Sequence, residues 1–412
     1  MRVTLPSRSP FASVVGSVLL ALLYLAAALV WVVFGPSLPG GRWLAVHLFT
    51  LGVLSNLVLA MTRHFAVTLT RSATAPTGAV VPLFNAGTVA VLVGVASSAR
   101  WLVAVGASVA TVAVLVAYRE LRRMRRGSLG ARFAWIVRLY ERAHGAFLHG
   151  AALGLLMGVG ALGGTWYGSA RLAHLHVNVL GWGGLTLLAT LVFFGPTVVR
   201  QRIEDGADDR AARVLRHGAT GLTVGTLLLL ATGVGGGWVI PLRIAAACAL
   251  AVLAWAASVT CSAVLRTVLR STVAGRWAVG SVAIWLPALL WLDVAVVATG
   301  TWRHLDALGL AALVGVLLQS IVVTLLHLAP TFVANGGARE QVRAALDRLG
   351  GVRTLVFNLG VVALVAAAGG GTALGLAGPI MARAGGVLVV AAVSQPVVAV
   401  LRARRLISTP VP

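Results

Sequence analysis

Apolar residues run along this chain in blocks of about twenty, separated by short breaks rich in arginine, glycine and proline. A helix needs that length to cross hydrocarbon roughly 30 Å thick. Twelve such spans can be marked: 11–35, 43–65, 79–97, 101–118, 145–167, 172–198, 218–234, 243–264, 277–300, 304–328, 354–371 and 385–401. The pattern predicts an all-α polytopic membrane protein of about twelve transmembrane helices. The first span, FASVVGSVLLALLYLAAALVWVVF, follows a basic start as a signal peptide would. It is too long for a typical apolar signal core and lacks a clear small-residue cleavage site, so it is read as a retained helix.

Composition agrees: 59% of the 412 residues are hydrophobic and only 10% charged, which excludes an ordinary soluble domain. The net charge of +23 would suggest nucleic acid in a soluble protein, but the placement of the charge argues otherwise. Every basic residue is arginine. With the N-terminus on one side of the membrane, 27 arginines fall on that side and six on the other: Arg42, Arg100, Arg171, Arg243, Arg303 and Arg383. Basic loops stay cytoplasmic, so both termini are expected in the cytoplasm of a plasma-membrane protein, with the lipid bilayer and no nucleic acid as partner. Cys248 and Cys261 are 13 residues apart, about 20 Å along one helix, and are read as core filler.

The chain also repeats. Span two begins RWLAVHLFTLG, span six RLAHLHVNVLG and span ten RHLDALG, so that His47, His176 and His304 are each followed five residues later by glycine. LFNAGTVAVLVG around Asn85 is echoed by VFNLGVVALVA around Asn358 and, more loosely, by GATGLTVGTLL near Gly221. Three four-helix units in one integral membrane domain account for both series. Their boundaries are 1–126, 127–266 and 267–412, and each unit sets one histidine at the same depth.

Imidazole is a good ligand for iron, copper or zinc, and polar groups inside a membrane segment are functional candidates. The outer layer holds His47, His174, His176 and His304, with Asp306 two residues beyond His304. His174 and His176 lie about 200° apart on an α-helix, so they would serve two different ligands. His64, His149 and His327 form a possible inner cluster, read against the plainer alternative of interfacial histidines. Phosphate-binding loops, HExxH and nucleophile-elbow motifs are absent from the sequence.

Twelve spans in groups of four, cytoplasmic termini and histidines near the outer ends of spans two and ten resemble the catalytic subunit of haem-copper oxidases and its relatives, among them nitric oxide reductases and NnrS-type proteins. The resemblance implies haem b held axially by His47 and His304 with Asp306 orienting, and copper at His174 or His176. The stretch HLFTLGVLSNLVLAMTRHFAVTL is also similar to membrane proteins associated with copper nitrite reductases. The expected protein partner is an electron donor or a cupredoxin-type protein. Span seven lacks the family's adjacent histidines, span ten has Asp306 where a second histidine stands, and span six lacks the tyrosine, so a complete terminal oxidase is not implied. The expected function is haem or copper binding in electron transfer, or in nitric oxide or copper handling, with an oxidoreductase-like activity if the protein is an enzyme. The rival readings are a non-redox permease or metal-ion transporter, and an accessory membrane subunit.

Overall fold

The computed structural model describes residues 10–34, 37–72, 76–128, 132–334, 337–370, 374 and 377–408. Arg2 and Arg8, counted in the charge asymmetry, lie outside them. Among the described residues there are thirteen helices and no strand: α1 (Pro10–Phe34), α2 (Gly41–Thr70), α3 (Val80–Ala96), α4 (Arg100–Arg126), α5 (Ala134–Gly158), α6 (Gly164–Val198), α7 (Ala207–Ala231), α8 (Val239–Leu269), α9 (Gly275–Thr299), α10 (302–333), α11 (Ala338–Asp347), α12 (Gly350–Gly370) and α13 (Ala377–Ser408). Ten of the described helices are long and apolar enough to cross a membrane. The 17-residue α3 is slightly short, α5 carries Arg138, Glu141 and Arg142 near its start, and α11 is a ten-residue amphipathic helix. The chain is thus an all-α, multi-pass membrane protein.

The fifth span starts eleven residues earlier than the apolar pattern suggests, at Ala134 instead of 145, and ends at Gly158. Its charged start stays helical because Glu141 takes two hydrogen bonds from Arg125 of α4, at 2.5 and 3.0 Å. The apolar stretch after Gly158 is a turn instead, with Gly160 and Gly164 at positive φ, a conformation that costs glycine nothing.

Packing divides the chain into two compact units, 1–186 with 226–242, and 187–225 with 243–412. This is a partition by contact, and it follows none of the boundaries read from the repeat. In the first unit, Gly87 of α3 and Gly106 of α4 meet so closely that a Cβ on either would lie within 2.7 Å of the other's carbonyl oxygen. In the second unit Gly360 of α12 and Gly385 of α13 do the same at 2.8 and 2.7 Å, and a Cβ on Gly221 of α7 would strike the carbonyl of Ala249 in α8. Small residues let helix backbones approach, which is how helices associate where lipid competes for apolar surface. Gly87, Gly221 and Gly360 each come from one of the three echoed segments, so the echo has a packing cause.

Spans two, six and ten share a second feature: each contains a π-helical segment, Leu48–Leu54, Val177–Gly184 and Ala311–Leu318. Such wide turns are uncommon and recur at functional sites.

Polar bonds fasten the first unit. Asn56 and Asn85 exchange amide hydrogen bonds of 3.0 and 2.7 Å. Arg63 meets Glu120 at 2.8 Å with both side chains buried, and Glu120 also accepts the Thr77 backbone N–H at 2.7 Å. Exposed Trp101, Trp166 and Trp238 stand near the ends of α4, α6 and α8 opposite this ion pair, as aromatic residues do at a membrane interface. In the second unit, Ser281 and Trp285 of α9 both donate to the Asn358 carbonyl, at 2.8 and 2.7 Å.

Removing one partner of a buried ion pair strands the other. Glu120→Ala is therefore expected to cost about 3–5 kcal/mol, whereas Glu340→Ala, whose Arg343 partner is partly exposed, should cost little. Thermal-aggregation midpoints of the two variants in the same detergent check this.

Candidate functional site

The first unit collects histidines from three helices. His47 ends the first α-helical stretch of α2, and the π segment starts at the next residue. Its Nδ1 lies 2.8 Å from the Trp43 carbonyl, and the Trp43 indole stacks on the imidazole with centroids 3.8 Å apart. His174, from α6, places Nδ1 2.8 Å from the carbonyl of Gly150 in α5. A carbonyl can only accept, so each Nδ1 carries a proton, and in the neutral ring each Nε2 keeps the lone pair. The two rings lie 6.5 Å apart, centre to centre, at 25° to one another.

Glycines and one amide shape the surroundings of His174. A Cβ on Gly154 would come within 2.9 Å of His174 Cε1, and one on Gly150 would overlap the Asn178 amide. Asn178 itself donates to the His174 carbonyl at 2.8 Å. Only glycine at 150 and 154 leaves His174 its place.

His176 faces elsewhere, as the 200° separation requires. It is fully buried, its Nδ1–H donates to the Leu172 carbonyl at 2.8 Å, and a π segment starts at the next residue. It therefore repeats the arrangement of His47. The residue in the same position before the π segment of α10 is Leu310, and His304 lies six residues earlier, on a 3-10 turn of the second unit. There His304 Nε2 accepts from Arg303 Nε at 3.2 Å, and Asp306 is exposed on the first turn that follows.

The inner histidines are dispersed. His64 is half-buried, with Phe65 at 5.8 Å, and His149 is exposed; both belong to the first unit. His327 belongs to the second, where it meets Phe194 edge-on at 5.3 Å.

His144 carries more than its sequence position suggests. Because α5 starts at Ala134, His144 lies well inside the helix, fully buried, with Nδ1 2.8 Å from the Tyr140 carbonyl and Trp182 edge-on at 4.7 Å. Its Nε2 is buried without a hydrogen-bond partner among the described residues. Its signal in the sequence is the heptad-like placement of Tyr140, His144 and Phe147, which the neighbouring Arg138, Glu141 and Arg142 mask. Trp182 in turn donates to Ser55 Oγ at 2.9 Å, tying the π segment of α6 to the helix that follows the π segment of α2.

Among the described residues, no three histidine, cysteine, aspartate or glutamate side chains are grouped to hold a metal ion. The donor set on offer is a pair of neutral imidazoles. Cys261 is buried and Cys248 exposed, both unpaired. Comparison with known proteins matches the chain to no family model and to no curated protein. Fold and site together define an all-helical membrane protein with a two-histidine layer in its first unit.

Gly150→Ala is expected to force Asn178 and with it His174 from place, lowering stability by about 1–3 kcal/mol. Gly145→Ala, on the same helix with open space around it, should be neutral or slightly stabilising. Paired melting curves of the two variants measure the difference.

Proposed function

We propose that this protein binds a redox metal within the membrane, as haem iron or copper, through His47 and His174, and serves electron transfer or the handling of nitric oxide or copper. The observation that carries the reading is the 6.5 Å separation of two nearly parallel imidazoles, each with Nδ1–H tied to a backbone carbonyl. Two imidazoles on opposite sides of one metal, at bonds of about 2 Å, stand about 6 Å apart between ring centres. A second nitrogen held by a carbonyl is the usual support for a ligating histidine, since it fixes tautomer and ring plane.

The metal, when bound, would supply one-electron chemistry. The chain's own part is to orient the two rings through the Trp43 and Gly150 carbonyls, and to shield His47 with the Trp43 indole. Two imidazoles suit a bis-imidazole centre, and among the described residues no third histidine, cysteine or carboxylate joins them. This shifts the second ligand from His304, which the oxidase resemblance implies, to His174. The arginine asymmetry supports cytoplasmic termini and a plasma-membrane location, with the histidine layer toward the outer face.

The test is the visible spectrum and metal content of protein purified from haem-replete, copper-supplemented cells. His47→Ala and His174→Ala are each expected to abolish the Soret band or the bound copper, while His217→Ala, at an exposed site, leaves it intact. A colourless, metal-free wild type overturns the proposal. Loss in His304→Ala together with retention in His174→Ala returns the axial pair to spans two and ten.

A further inference from the structure

The second unit encloses a cavity of about 90 Å³ between α9, α10, α11 and α12. Its walls are chemically divided. Arg200, Arg343 and Arg353 line it with a single acid, Asp347, and with His327, Gln319 and Thr354, while Val322, Val323, Leu326 and Phe357 supply apolar wall. Arg200 is exposed and Arg343 partly so, whereas Gln319 and Phe357 are 3% and 4% exposed, so the charge gathers at the mouth and the apolar surface at the floor. Pro330 and Gln319, both lining residues, are eleven residues apart on α10, about 16 Å along the helix. The cavity is therefore elongated.

Two of the arginines are already positioned. Arg353 donates to the Leu346 carbonyl at 3.1 Å and to Gln395 at 2.9 Å, and Arg343 donates to Glu340 at 3.0 Å. At the floor, Gln319 Oε1 lies 3.3 Å from Ser281 Oγ, whose one proton also points to Asn358 at 2.8 Å, and the buried Gln319 Nε2 has no hydrogen-bond partner among the described residues. A buried amide donor without an acceptor costs free energy, so the site is built for something that brings one.

We propose that this cavity binds an anionic, phosphate-headed amphiphile, with the phosphate between Arg343, Arg353 and Arg200 and a hydrogen-bond acceptor below the head directed at Gln319. An ester-linked phospholipid has both groups in that order. The volume admits the head and the first part of a chain only, and the rest would lie along the exposed outer face of α12, where Val352 and Leu355 are each 60% exposed. Basic pockets between membrane helices take anionic lipid heads by this chemistry, and guanidinium is the side chain suited to phosphate. The site lies wholly within the second unit and is independent of the histidine layer.

The experiment is thermal unfolding of detergent-purified protein titrated with phosphatidylglycerol, with phosphatidylcholine and with inorganic phosphate. Phosphatidylglycerol should raise the midpoint saturably and phosphatidylcholine should not. In Arg343→Gln the half-saturating phosphatidylglycerol concentration is expected to rise about tenfold, and in Val323→Phe, which fills the cavity without changing charge, the response should disappear. Arg339→Gln, which removes a charge from the same short helix outside the cavity, should respond like wild type. Equal effects of the two lipids, or equal losses in Arg343→Gln and Arg339→Gln, overturn the proposal in favour of unspecific surface attraction. Full stabilisation by inorganic phosphate alone overturns the amphiphile and leaves an oxyanion site.

Discussion

A polar side chain among packed helices has no water to turn to, and that single constraint organises most of what this chain does. The common answer is a carbonyl one turn back. His47 bonds Trp43, His144 bonds Tyr140 and His176 bonds Leu172, while Asn56, Asn85 and Asn358 do the same with Gly52, Val81 and Thr354. Each of these bonds leaves the other end of the side chain to act between helices. For the asparagines that end joins α2 to α3, or α12 to α9; for the histidines it is a lone pair. The same local bond that makes a buried imidazole tolerable also sets its tautomer, so satisfying the buried ring decides which of its nitrogens carries the proton.

The wide turns enter through the same constraint. Thr50 and Gly52, inside the π segment of α2, offer carbonyls that accept from Ser55 Oγ and Asn56 Nδ2 at 2.8 and 2.7 Å. Ser55 then receives Trp182 from α6, and Asn56 exchanges bonds with Asn85. The disturbed stretch of helix is thus where neighbouring helices are fastened, and a histidine stands directly before it in both helices, His47 in α2 and His176 in α6.

Much of this architecture was legible beforehand, because the length of an apolar run is imposed by the bilayer and a helix satisfies its own backbone. The echoed glycines were legible as a pattern, and contact geometry supplied their cause. The start of α5 was not legible, since Arg138, Glu141 and Arg142 look like loop until Arg125 is seen to face Glu141. The apolar pattern accordingly sets His144 at the start of the span and not inside the helix. The π segments were equally hidden: LFTLGVL and AALVGVLL contain nothing that an ordinary helix would refuse. Spacing alone therefore aligned His304 with His47, although the wide turn of α10 begins seven residues after His304 and directly after Leu310. Splitting the HLH pair was within reach of helix geometry, but that His174 would stand beside His47 depended on the crossing of α2, α5 and α6.

The wide turns have a consequence for how such a chain can change over time. One residue inserted into a helix rotates everything beyond it by about 100°. A π segment is a place where that extra residue has already been absorbed without breaking the rod. In α2, Trp43 and His47 lie on one side of such a joint and Arg63 on the other. A single deletion inside 48–54 would remove the surplus residue and let the segment relax to an ordinary helix, while each half kept the face it already presents. The joint makes the two ends of one membrane helix separately adjustable, so the histidine layer and the buried ion pair could be retuned in different generations without either undoing the other.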